Sequence, residues 1–382
     1  MIPSALHIIA FLCLIPYIVL IIWVSLGWFK LRTTMQPTSP AKLPCVSVVV
    51  ALRNEENNLP ALIQALTRQN YPAGNYEIIF ADDESEDNSR SLILEQALIH
   101  SHIKLIPHGP EEKPGKKAAI ARGIRFAKGD IVITTDADCR MGNNWITTLV
   151  QALSANNTRM VLAPVDIEDK GGNLLSHLQS LEFMSLTGTT AGSAAMHHPL
   201  MGNAANMAFC RQTYLDIIDR VKGDTFASGD DMFLLQAIKK RYPGQISFVF
   251  SKDAMVVTQP APGIREFFSQ RIRWASKAPA YHDSVILLAG LSVAAFNLLL
   301  SLGVIISALF YTGWLPFMGG LWLAKAVADF PLLLSVSRFF GKERLMRWYL
   351  PLQLMYPFYV SGTLILALFS KPAWRGRPLK KT

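Results

Sequence analysis

Three short acidic clusters hold the residues best suited to chemistry. The sharpest is Asp136-Ala137-Asp138, which ends the apolar run Ile131-Val132-Ile133-Thr134-Thr135. If the extended backbone continues, alternation points both carboxylates to one side. Such a pair suits a hard divalent ion that keeps waters and shares its shell with a phosphate. A second cluster, Asp82-Asp83-Glu84-Ser85-Glu86-Asp87, follows another β-branched run. The third, Asp230-Asp231, precedes an apolar helical run from Met232 to Ile238. The plain use of Asp there is helix capping, through its acceptor oxygen and the dipole. Between the clusters, Lys113-Pro114-Gly115-Lys116-Lys117 opens the helix Ala118 to Ala127, and a helix N-terminus flanked by lysines attracts anions. Each feature alone has a bland reading, as a solvated turn, a cap or an exposed basic loop. Their order along the chain carries the argument.

The elements that must position these groups read as a parallel sheet. Val46–Val50, Ile78–Ala81 and Ile131–Thr135 are candidate buried strands, each followed by polar residues and then helical periodicity. Strands alternating with helices predict an α/β domain whose ligands bind beyond the carboxyl ends of the strands. Two of those ends carry the first two acidic clusters. The domain is expected to run over residues 46–260, after an apolar N-terminal segment (1–29) and a Pro-rich linker (30–45).

Ala5 to Phe29 is an apolar run of about 25 residues, long enough to cross a bilayer. It lacks a preceding Lys or Arg and a following small-residue cleavage pattern, so it is expected to be a retained anchor and not a signal peptide. Lys30, Arg32 and Lys42 after it place the following domain in the cytoplasm by the positive-inside rule. Ile264 to Lys277, within an expected interface segment 262–281, plots as an amphipathic helix. Ile264, Phe267, Phe268, Ile272 and Ala275 form one arc, opposite Arg265, Glu266, Ser269, Arg273 and Lys277. Residues 285–370 form a C-terminal membrane region. Val285–Tyr311 and Trp314–Val336 read as spans, with Lys325 and Asp329 one helical turn apart and able to pair. Trp348–Phe369 contains Pro351 and Pro357, and basic residues flank it on both sides, including a tail over 371–382. The segment is therefore a third span or a re-entrant segment, and the basic flanks favour a cytoplasmic tail and a re-entrant segment broken at the prolines.

Composition excludes other classes. Of 382 residues, 51% are hydrophobic and 17% charged, against roughly 25% charged in soluble domains. This rules out a disordered chain and disfavours a wholly soluble enzyme. The +9 net charge gathers at membrane flanks, where it meets lipid, and gives no support for nucleic-acid binding. Four widely spaced cysteines imply neither a disulfide framework nor a zinc site.

In this order the motifs resemble those of the inverting family 2 glycosyltransferases. The likeness is to the membrane-bound branch that includes cellulose, hyaluronan and poly-N-acetylglucosamine synthases and ceramide glucosyltransferases. It rests on Val48-Val49-Val50-Ala51-Leu52-Arg53-Asn54-Glu55, Asp82-Asp83, Gly115-Lys116, Asp136-x-Asp138, Asp230-Asp231 and Gln270-Arg271-Ile272-Arg273-Trp274, the last matching QxxRW. Trp374-Arg375-Gly376-Arg377 is similar to a W-K-G-R tail found in part of the branch. The resemblance implies a GT-A, Rossmann-like nucleotide-sugar-binding domain flanked by transmembrane helices. It implies that Asp82, Asp83, Glu55 and the backbone near Ala51 hold the nucleoside. Asp136 and Asp138 would contact the nucleotide-sugar and its Mg²⁺ or Mn²⁺, and Lys116 the diphosphate. Asp231 stands where the family's general base sits, with Asp230 in place of the usual Glu. Gln270, Arg273 and Trp274 would frame the acceptor and the leaving diphosphate, and Asn206, in Gly202-Asn203-Ala204-Ala205-Asn206, would lie near the acceptor.

The chemistry agrees with that division. Displacing a nucleoside diphosphate builds charge on the leaving phosphate, which cations stabilise, and an acceptor hydroxyl needs a carboxylate to take its proton. The expectation is an enzyme of the bacterial inner membrane. It would move one sugar from a nucleotide-sugar, expected to be UDP-linked, to a lipid or lipid-linked acceptor at the cytoplasmic face. The alternatives are a processive polysaccharide synthase acting on a glycan, and a non-catalytic scaffold that binds nucleotide-sugar.

Overall fold

The computed structural model describes residues 2–34, 43–109, 114–155, 157–168, 173–218, 230–369, 373–374 and 377–378. In chain order the first elements are α1 (Ile2–Thr34), β1 (Val46–Leu52), α2 (Leu59–Thr67), β2 (Tyr76–Asp82), α3 (Ser89–Ile99), β3 (Ile103–Ile106), α4 (Lys116–Phe126) and β4 (Ile131–Asp136). There follow β5 (Arg140–Met141), α5 (Trp145–Leu153), β6 (Met160–Leu162), β7 (Val165–Ile167), α6 (Leu174–Ala195), β8 (Met207–Cys210), α7 (Arg211–Ile218) and α8 (Asp230–Arg241). The last are β9 (Ile246–Phe248), β10 (Val256–Thr258), α9 (Ile264–Ala275), α10 (Ser284–Phe310), α11 (Leu315–Phe340), α12 (Tyr349–Phe369) and the short strands β11 (Ala373–Trp374) and β12 (Arg377–Pro378). Two compact units result. One gathers Met1–Lys30, Asp169–Met196 and Pro260–Pro378; the other gathers Leu31–Glu168, His197–Gln259 and Leu379–Thr382.

The second unit is α/β. Its seven-stranded sheet has the order β3-β2-β1-β4-β8-β6-β9. β1 runs parallel to β2 and β4, β2 runs parallel to β3, and β8 is antiparallel to β4 and β6. Every residue of β1 and β2 is buried, which is why these strands are continuous apolar runs and not alternating ones. Register does the positioning. Ala51 stands opposite Asp136 of β4, and Leu52 opposite Asp82 of β2. The first two acidic clusters therefore flank the carboxyl end of one central strand. Helices cover the sheet for ordinary reasons. α2 starts with Pro60 in its first turn, where the missing N–H costs nothing. It buries Leu59, Leu62, Ile63 and Leu66 at helical spacing.

The first unit is helical. α1, α10, α11 and α12 contain stretches long and apolar enough to cross a membrane by length and composition. Ala10, Leu14 and Tyr17 of α1 pack with Phe296 and Leu300 of α10 and with Met318 and Leu321 of α11. Polar groups inside this apolar body are costly unless paired, and one network pairs several of them. Lys325 Nζ donates to Asp329 Oδ2 and to Gln353 Oε1, both at 2.7 Å, and Tyr17 Oη donates to Asp329 Oδ1 at 2.8 Å. One network thus ties α1, α11 and α12. α1 also crosses α6 backbone to backbone. A Cβ on Gly192 would lie 2.1 Å from the Val24 carbonyl oxygen, and one on Gly27 would lie 2.0 Å from that of Gly192. Only glycine fits at such a crossing.

One expectation is corrected here. The segment 348–369 is not broken into a hairpin; α12 runs unbroken through Pro357. Pro351 lies in its first turn, where proline is tolerated, and a single interior proline leaves a helix continuous when neighbouring helices pack around it. Most of the basic tail, including Arg375, lies outside the described residues.

Candidate active site

β4 delivers Asp136 with its side chain 31% exposed, and Lys116, the first residue of α4, meets it with Nζ 2.5 Å from Oδ1. The Gly115-Lys116 turn is built for this. Gly115 has φ +137°, a conformation open to glycine, and its N–H donates to Asp83 Oδ1 at 2.7 Å. The turn after β2 thereby fixes where α4 begins. Asp138, two residues past Asp136, accepts from Thr258 Oγ1 at 2.9 Å. Asp231, in the first turn of α8, accepts from the Met232 N–H at 2.9 Å and the Ala204 N–H at 3.5 Å. The Gly202–Asn206 loop therefore touches the carboxylate placed third in the chain.

Electrostatics join these groups. Burial works against the Lys116 ammonium, but Asp136, Asp231 and Asp138 together outweigh it and lift its pKa above the ordinary lysine value. Burial, then the charge of Asp136, raises the Asp138 carboxyl, against the Thr258 hydrogen bond and Lys116. The buried Cys139 thiol between Asp138 and Arg140 is pushed well up by the same burial and carboxylates. Three carboxylates around one lysine leave an excess of negative charge. That excess fits a divalent cation, and oxygen is the donor such an ion prefers. Among the described residues no group of three or more His, Cys, Asp or Glu side chains stands ready to enclose a metal. Asp136 and Asp138 are two oxygen donors that could take part in such an ion's shell, too few to enclose it by themselves.

Burial sorts the other expected contacts. Asp82 is wholly buried, its Oδ2 held by Arg90 Nε at 2.7 Å and Nη2 at 2.6 Å, while its carbonyl oxygen accepts from Arg122 at 2.5 Å. Asp83 is equally buried on the Gly115 turn. Asn206 is 1% exposed; its Oδ1 accepts from Trp145 Nε1, and its amide donates to the Pro164 and Ala254 carbonyls. Asp82, Asp83 and Asn206 are thus buried and hydrogen-bonded within the protein, where they hold the turns and the loop around the site in place. Glu55 and Ala51 are 8% and 7% exposed, and Glu55 Oε2 accepts from Asn58 Nδ2 at 2.7 Å. The turns after β1 and β2 are laced together. Asn54 and Glu84 both adopt left-handed backbone, the Asn54 N–H meets Ser85 Oγ, and Asn54 Oδ1 accepts from the Glu86 N–H. The Asp230 side chain lies outside the described residues.

Gln270, Arg273 and Trp274 lie on α9, in the helical unit. The buried residue at their centre is Arg271, which is 3% exposed. Its Nε donates to Glu182 Oε2 of α6 at 2.9 Å, Nη2 donates to the same oxygen, and Nη1 donates to Gln270 Oε1. Its Cζ lies 4.5 Å from the ring centres of both Phe267 and Trp274. Sequence reading missed Arg271, Thr258, Arg90 and Glu182. Only Arg271 left a trace. Counted from Ile264 it sits at i+7, inside the apolar arc, where a cation demands a buried partner.

An α/β sheet with half-exposed acids and a lysine at its strand ends is the architecture of a nucleotide-sugar-binding GT-A domain. Residues 47–218 match the profile described as Glycosyl transferase family 2, so the chain carries a family 2 glycosyltransferase domain, which is that of a transferase. A mannosyltransferase from Pyrobaculum calidifontis, solved with GDP-Man and Mn²⁺, superposes with a TM-score of 0.60 at 19% identity. The superposition covers 95% of this chain and 99% of that one, a likeness of fold. The glycosyltransferase AglE of Haloferax volcanii is 23% identical over 232 residues, 60% of this chain and 72% of that protein. An undecaprenyl-phosphate 4-deoxy-4-formamido-L-arabinose transferase of Aeromonas hydrophila is 42% identical over 108 residues. That match spans 28% of this chain and 33% of the relative.

Proposed function

We propose that the chain is a membrane-bound inverting glycosyltransferase that moves one sugar from a nucleotide-sugar to a hydroxyl of a lipid or lipid-linked acceptor at the cytoplasmic face of a bacterial inner membrane. One observation carries this reading. Asp136, Asp138, Lys116 and Asp231 converge at the strand ends of a family 2 domain whose chain also holds four membrane-length helices. In this account the nucleoside lies at the ends of β1 and β2, bounded by Ala51 and Glu55 and shaped from beneath by Asp82 and Asp83. Lys116 binds the diphosphate and stabilises the charge that grows on it as the glycosidic bond breaks. Asp136 and Asp138 would hold Mg²⁺ or Mn²⁺, which supplies further charge neutralisation at the leaving group. Asp231 takes the acceptor proton, and the Ala204 N–H helps to hold its carboxylate in place. Gln270, Arg273 and Trp274 face the acceptor and the departing diphosphate. A lipid acceptor is supported by the undecaprenyl-phosphate relative and by the four apolar helices.

The test is turnover of a labelled panel of UDP- and GDP-sugars by membranes that contain the protein, with undecaprenyl phosphate and diacylglycerol supplied as acceptors. Label in the lipid extract, at one sugar per lipid, is the expected result. Label in a polymer that lengthens with time would replace this reading with a polysaccharide synthase.

A further inference from the structure

Every polar edge of the Arg271 guanidinium is committed inside the helical unit. Nε and Nη2 grip one oxygen of Glu182 on α6, and Nη1 grips the carboxamide oxygen of Gln270. The other Glu182 oxygen accepts from Tyr359 Oη of α12 at 2.6 Å. The flat face of the same guanidinium lies against the rings of Phe267 and Trp274. Tyr359 also packs on Phe267, with ring centres 5.3 Å apart. Three helices thus meet at one ion pair, and two of the groups that Arg271 touches, Gln270 and Trp274, belong to the QxxRW motif. Glu182 and Arg271 are 9% and 3% exposed, so neither is placed to meet a substrate itself.

We infer that Arg271, anchored by Glu182 and Tyr359, is a positioning residue that sets the orientation of the Gln270 carboxamide for transfer. The proposal rests on the reading that Gln270 faces the acceptor. The chemistry favours arginine for the task. A planar fork can bond to two partners along different edges and stack at the same time, whereas an ammonium is a point charge on a flexible stem. A buried pair that served only to join α6 to α9 would need no bond to Gln270.

Arg271→Lys separates the two roles, because it keeps a cation for Glu182 and loses the fork to Gln270. The readouts are kcat/KM for the lipid acceptor that the panel glycosylates, and the affinity of the full-length protein for UDP and GDP. A loss on the order of 10²-fold in kcat/KM is expected, as for a small displacement of a group that holds a reactant, with nucleotide affinity unchanged. The same substitution in a Gln270→Ala background should cost little more, because residues that act as a unit are not additive. Tyr359→Phe loosens Glu182 while keeping the ring. It should give a smaller loss that also disappears in the Gln270→Ala background, and it decides the matter if Arg271→Lys does not fold. Losses that multiply in full on Gln270→Ala, or no loss in either variant, would overturn the inference. A fully active Gln270→Ala would overturn the acceptor reading of Gln270 first and this inference with it, and that single variant tells the two failures apart.

Discussion

Replacing Lys116 with methionine removes one positive charge from a cluster of three carboxylates and keeps most of the side-chain volume. The ammonium lies 2.5 Å from Asp136 Oδ1, and the two side chains are 25% and 31% exposed. For a pair near the surface the Coulomb attraction is about 4 kcal/mol at ~4 Å. Water reaches both groups and desolvation offsets much of that, so the net loss of stability should be about 1 kcal/mol. Activity should suffer far more. A preorganised donor aimed at developing charge supplies on the order of 10²–10³ in rate when water is excluded, because the charge on the leaving phosphate exists only in the transition state. Lys116→Met should therefore lower kcat/KM for the donor by about 10²-fold, with the unfolding temperature of the full-length protein in detergent shifted by only a few degrees. Initial rates with labelled donor and a thermal melt on the same preparation decide it. Turnover within threefold of the parent would refute the diphosphate role. A collapse of the melt in step with the rate would show that Lys116 is structural.

Three further outcomes follow from the same geometry. Asp138→Ala removes a hard oxygen ligand, so transfer should collapse, and the parent should lose activity in excess chelator and regain it with Mg²⁺ or Mn²⁺; full activity in chelator would refute the metal role. Glu77 is buried, which raises its pKa, but hydrogen bonds from Lys104, Ser47 and the Lys128 N–H prevail and hold it below the ordinary 4.5. A depressed carboxyl stabilises the fold above its unfolded pKa and loses that contribution as pH falls through the folded value, so Glu77→Gln should cost about 1–3 kcal/mol at pH 7 and progressively less as acid protonates the folded carboxyl; a cost that does not change with pH down to full protonation, read by thermal unfolding, would contradict the assignment. Gly192→Val should prevent α1 from seating on α6 and lower the yield of folded protein in detergent, and a normal yield would show that the backbone contact is not required.

The parallel sheet was legible because each central strand is buried on both faces and so writes itself as an unbroken β-branched run. Asp136 and Asp138 stood out for the complementary reason: they end an apolar run, and the structure places Asp136 at the end of β4 with its side chain partly exposed. What the sequence concealed is burial by partners that the motifs do not name. Asp82 looks like an exposed ligand until Arg90 and the Arg122 contact are seen, and Asn206 until Trp145 reaches it across 61 positions. α12 was misread because the sequence shows its prolines and its basic flanks, but not the helices that pack around it. Arg271 was overlooked because QxxRW draws the eye to its named letters, although the helical wheel sets a cation on the apolar arc. The place of the acids at the strand ends was therefore readable, and the braces around them were not.

The most direct measurement for the central claim is transfer by Asp231→Asn on the labelled panel, with nucleotide binding measured on the same protein. The amide keeps the shape of the side chain but cannot accept a proton, and removing a general base costs on the order of 10²–10⁴ in rate. A lipid phosphate brings its own anionic oxygen and needs no base, so the result also reports the acceptor. The account predicts that Asp231→Asn binds UDP or GDP as the parent does and glycosylates a hydroxyl-bearing lipid at a hundredth of the parent rate or less. Near-normal transfer by Asp231→Asn to a hydroxyl-bearing lipid would contradict it, and loss in Asp230→Asn instead would move the base to the neighbouring carboxylate.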